Sequence, residues 1–160
     1  MEYLFFYIAP IVVSLLLAVY LSFEFKIELN LFDNKSVLFF IPILVTIGLA
    51  LSFTISGILG NFLQHAIAGG VVVAFIGEYL RKTIYSDIKL RLWVILTMGL
   101  VSILGIGNEL LEFFAQYFLD IKISETVLDT WYDLLANSIG GLFGCLLIIV
   151  FNRFRKQQIN

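Results

Sequence analysis

Seven side chains able to bind a cation, move a proton or orient a ligand stand in or beside apolar stretches of this 160-residue chain. They are His65, Glu109, Glu112, Gln116, Asp129, Asp133 and Asn137. Carboxylates beside an imidazole suit divalent-metal binding or general acid–base work, and an amide can orient a ligand or donate to an oxyanion. Helical spacing groups them. Glu109, Glu112 and Gln116 follow i, i+3, i+7 and share one face, while Asp129, Asp133 and Asn137 follow i, i+4, i+8 on another helix. Continuing that second stripe inward meets Gly140 and Gly144, a small-xxx-small pattern that lets a helix approach closely. His65 and Gly69 are likewise one turn apart.

The elements that must position these groups are greasy. The chain is 61% hydrophobic and 14% charged, with mean hydropathy +1.01. An average soluble domain carries roughly a quarter charged residues. Charge this sparse cannot cover a water-facing surface, so the expected fold is an all-α integral membrane protein, one transmembrane domain over residues 1–160. Apolar runs long enough to cross a hydrocarbon core of roughly 30 Å give five spans, at about 3–23, 37–55, 61–80, 92–118 and 130–151. Met1-Glu2-Tyr3 lacks the basic start of a cleavable signal, so the first run is expected to be a retained span. Pro10 should bend it, and Gly105 and Gly107 should bend the long fourth span. The single cysteine, Cys145, excludes an intrachain disulfide and reads as a small buried apolar residue.

Charge sets the orientation. With five spans, Lys26, Lys35, Arg81, Lys82, Lys89, Arg91, Arg153, Arg155 and Lys156 fall on one side, and Lys122 alone on the other. The positive-inside rule then gives an N-out, C-in five-helix transmembrane bundle. At 1.5 Å rise per residue, His65 stands about 24 Å above Arg81 and Glu109 about 27 Å above Arg91. Asp133 stands about 27 Å, and Asn137 about 21 Å, above Phe151. Three separate helices thus bring polar groups to one level, near the outer interface where lipid head groups sit. The expected packing sets the carboxylates of spans four and five together, tightened below by the glycines.

Four carboxylates there require a cation, bound protons or a cationic ligand. In the metal reading Glu109, Glu112, Asp133 and His65 are ligands, and the ion is zinc, manganese, iron, magnesium or calcium. Glu109 and Asp133 are the candidate catalytic groups, and Asn137, Gln116 and Asp129 would bind the ligand. Plainer roles stand beside these: His65 bonded to Asn61 or a carbonyl, Asp129 as a helix N-cap, Glu112 and Gln116 facing outer water. Glu78 should pair with Arg81 and Lys82, and Trp93, Trp131 and Tyr132 should anchor at the interfaces. The expected partners are membrane lipid and, through Gly140 and Gly144, a second copy or another membrane protein. No basic cluster points to nucleic acid, and no phosphate-binding loop, dinucleotide fingerprint or Gly-x-Ser-x-Gly elbow occurs.

The pattern Glu109-x-x-Glu112, then Asp129-Thr-x-x-Asp133-x-x-x-Asn137-x-x-Gly140-x-x-x-Gly144, resembles the VanZ-like and YjdF-type families of small membrane proteins. It covers about the last third of the chain, and His65 in QHAIAGG is similar to a His-plus-glycine element of the YjdF type. VanZ-like proteins usually have Gln where Glu112 stands and an Arg before the Asp pair, which residues 120–128 lack. The resemblance implies a fold in the plasma membrane of a bacterial or archaeal cell, and little chemistry. Three function classes follow from the residues: a protein binding or modifying a polar or phosphorylated lipid head group, a proton- or cation-coupled transport component, and a structural, partner-binding subunit.

Overall fold

A computed structural model describes residues 12, 16, 19, 20, 34–55, 57–84, 87–120 and 127–159. The first expected span, Lys26, Pro10 and Lys122 fall outside these or among residues too few to define an element. Four helices are described: α1 (Asn34–Thr54), α2 (Ile58–Thr83), α3 (Leu90–Leu119) and α4 (Val127–Ile159). No strand occurs among the described residues.

Three of these helices are long and apolar enough to cross a membrane: Ile58–Thr83, Leu90–Leu119 and Val127–Phe154. The apolar run described in α1, Phe40–Leu51, is shorter. Large apolar side chains cover the exterior, among them Ile95 at 66%, Ile103 at 69% and Leu111 at 70% exposure. An apolar surface that continuous is untenable in water and ordinary against lipid.

The α2 helix differs from a plain α-helix. Between His65 and Val71 it widens into a π segment, and the Val72 N–H donates to Ile67 O, five residues back. This segment makes the most extensive contact in the fold, against α4. Gly70 explains how close the two backbones come: a Cβ there would stand 2.5 Å from Gly141 N and 2.6 Å from Asn137 O. Across the seam, a Cβ on Gly140 would fall on the carbonyl oxygen of Ala66, and one on Gly144 would meet Ala74 Cβ at 2.7 Å.

Some expectations are corrected here. The glycine stripe of α4 packs on α2, not on α3, because the π segment supplies Gly70 and Ala66 opposite it. Gly140 and Gly144 are both buried, against Ala66 and against Val71 and Ala74 of α2. The tail after Phe151 continues the helix to Ile159. Trp93, expected as an interfacial anchor, is 3% exposed and packs with Ala74, Cys145 and Ile148 in the core. Trp131 and Tyr132 do face outward.

The end of α2 toward Thr83 is tied by charge. Glu78 is 2% exposed and accepts from Arg81 Nε and Nη2, both at 2.7 Å, and from Asn152 Nδ2 at 3.1 Å. Lys82 Nζ stands 3.5 Å away. This joins α2 to α4, and the Arg81 guanidinium lies 5.9 Å over the Trp93 ring on α3.

Candidate metal centre

His65 opens the π segment of α2, Glu109 lies on α3, and Asp133 lies two turns into α4. One nitrogen or oxygen from each lies within 4.8 Å of the other two. His65 Nε2 stands 3.4 Å from Asp133 Oδ2. Ligands bonded to one metal at about 2 Å stand about 3–4 Å apart. The His65–Asp133 pair already has that spacing.

Asn61 lies one turn before His65 on α2. Its Nδ2 donates to Asp133 Oδ1 at 2.7 Å and to Asp129 Oδ1 at 3.2 Å. Both amide hydrogens are used, which holds two carboxylates of like charge together. Asp133 Oδ1 is thereby occupied, and Oδ2 is left turned to His65.

The floor comes from one residue on each helix, one turn inward. Asn137 follows Asp133 by four, Gly69 follows His65 by four, and Gly105 precedes Glu109 by four. A Cβ on Gly69 would fall on Asn137 Oδ1, and one on Gly105 would come within 3.0 Å of Asn137 Nδ2. The two glycines make room for the amide. Asn137 is 3% exposed, and its Oδ1 has no partner. Glu109 Oε1 is also buried without a partner. Two unpartnered acceptors call for a donor or a cation.

The remaining candidates sit further out. Glu112 accepts from Asn108 Nδ2 at 2.7 Å and is not part of the three-residue group. Asp129 lies in the first turn of α4, where it takes the Asn61 hydrogen bond. Gln116 lies on α3 a further turn beyond Glu112, half-buried. No described lysine or arginine stands at this level. Asn61 is the site residue that sequence reasoning missed as an organiser. Its spacing of four before His65 was the available signal.

No family model, curated protein or solved structure matches this chain.

Proposed function

We propose that this is a membrane-embedded metal-binding protein whose His65–Glu109–Asp133 centre engages a polar or phosphorylated lipid head group. One imidazole and two carboxylates suit zinc, manganese or iron. Three protein ligands leave coordination positions for water or substrate, as in catalytic rather than structural sites. A metal held by these three residues would supply Lewis-acid polarisation of a bound oxygen, and a carboxylate oxygen of Glu109 or Asp133 left uncoordinated would accept the proton. The observation that carries the reading is the gathering of three donors from three helices over a floor with an unpartnered acceptor.

The setting proposed is the outer side of a five-span, N-out, C-in bundle in a bacterial or archaeal plasma membrane, with kinship to the VanZ-like and YjdF-type proteins. The orientation rests on the lysine and arginine distribution along the chain, and the kinship and the membrane on the Glu109-to-Gly144 pattern. Cysteine labelling from either side, in a Cys145→Ala background, tests it: positions near 26 and 86 should react only from the cytoplasmic side.

Coupled transport is the weaker reading. Among the described residues the buried polar ones are Glu78, Thr97, Asp133 and Asn137, and Val71–Ala74 and Val101 fill the interior between the two ends. From Gly105, level with Asn137, to Thr97 is about 12 Å of helix. Among the described residues no buried polar side chain lies along that length to assist a proton or ion.

The test is metal analysis of the purified protein and of Asp133→Ala. Bound metal lost in the variant supports the centre, and no metal in either removes it.

A further inference from the structure

A cavity of about 100 Å³ lies between α2 and α3 at the basic end of the molecule, remote from the metal centre. Leu80, Ile88, Leu96 and Leu100 give it apolar walls, and Arg81 and Trp93 also line it. Gly77 helps shape it: a Cβ there would meet Thr97 Oγ1 at 2.6 Å, so α2 and α3 converge beside it. Leu96, 53% exposed, puts one wall on the apolar exterior. Dry apolar cavities of about 150 Å³ take benzene-sized guests. This one fits a short length of alkyl chain.

Trp93 makes the cavity more than a packing defect. The residue is 3% exposed, and its indole N–H has no acceptor. A buried donor left unpaired costs about 1–3 kcal/mol, so an acceptor from outside the protein is the economical solution. The described side chains of this end include Arg81, Lys82, Lys89, Arg91 and Arg153, against Glu78 and Asp87, an excess of three positive charges among those named. Arg81 uses its Nε and one Nη2 hydrogen on Glu78, which leaves the Nη1 hydrogens uncommitted to that carboxylate.

We propose that this end binds one anionic phospholipid drawn from the surrounding bilayer. Its phosphate meets Arg81 and the neighbouring cations, an ester carbonyl accepts from Trp93 Nε1, and part of an acyl chain enters the cavity. The depth order agrees with a lipid: cations outermost, the indole donor at the ester level, and leucines over the next 10 Å or so of α3. Basic pockets between spanning helices are the usual setting for such binding.

Native mass spectrometry of the full-length protein, loaded with phosphatidylglycerol or phosphatidylcholine, tests this. One phosphatidylglycerol should survive delipidation and phosphatidylcholine should not. Trp93→Phe keeps the ring and removes the donor, and retention should fall about fivefold. Leu100→Phe fills the cavity and should abolish it. Exchange of the exposed Lys89 and Arg91 for Gln should narrow the preference between the two lipids without loss of fold. Equal retention of both lipids by the wild type would overturn the proposal. So would phosphatidylglycerol retention unchanged in both Trp93→Phe and Leu100→Phe.

Discussion

The amide of Asn61 stands 2.7 Å from Asp133 Oδ1, and its second hydrogen goes to Asp129. One uncharged side chain thereby aligns two carboxylates and leaves Asp133 Oδ2 facing His65 Nε2. In metal sites the groups that orient ligands matter nearly as much as the ligands themselves. Asn61→Ala should weaken metal affinity about 10- to 100-fold with the ligands intact. Titration with Co²⁺, followed by its visible spectrum, separates this from unfolding: the spectrum should survive at saturating metal. An affinity equal to wild type would show that Asn61 merely packs.

Metal affinity should depend on pH with a definite sign. His65, Glu109 and Asp133 must be unprotonated to coordinate, so protons compete with the ion. The apparent affinity should fall as pH drops below neutral and level off above it. Isothermal titration at pH 5.5, 6.5 and 7.5 measures this, and the same titrations in buffers of different ionisation enthalpy count the protons released.

The seam between α2 and α4 should be intolerant of one methyl group. Gly140→Ala places Cβ on the Ala66 carbonyl, and Gly70→Ala places it against the backbone of Gly141. Overpacking of this kind costs about 1–3 kcal/mol, and backbone atoms on both sides put these changes at the upper end. Gly107→Ala, whose Cβ would meet nothing within 4 Å, is the control and should be close to neutral. Thermal unfolding in detergent reads all three.

Glu78→Gln should destabilise the basic end, since it leaves Arg81 without its carboxylate. Breaking a fully buried pair costs about 3–5 kcal/mol. Arg81 keeps 22% of its side chain exposed, so a loss of about 2 kcal/mol is expected here. Metal binding at the far end should be unchanged, as the two groups share no partner.

Three spanning-length helices and the common level of His65, Glu109 and Asp133 on them were readable in the chain because helical rise is fixed and apolar length has one common use. The gathering of His65, Glu109 and Asp133 follows from that arithmetic. Which faces meet was less legible. In helices apolar on all sides, hydrophobic periodicity no longer marks the inward face. The π segment at His65–Val71 also departs from the 3.6-residue repeat on which spacing arguments rest, and it sets Ala66 and Gly70 opposite the glycines of α4. Glu112 shows the same limit: it shares a helical face with Glu109, yet Asn108, one turn before it, takes its carboxylate. Trp93 was misplaced because an indole near arginines suits an interface as well as a core, and only the packing of α2 and α4 distinguishes them.

The central claim is that three helices hold one metal ion. Elemental analysis of the purified protein, beside His65→Ala, Glu109→Ala and Asp133→Ala, tests it most directly. The account predicts about one equivalent of a transition metal in the wild type, sharply reduced in each variant while Glu112→Ala retains it. A folded wild-type protein that takes up no metal, or binds it equally well without all three side chains, would contradict it.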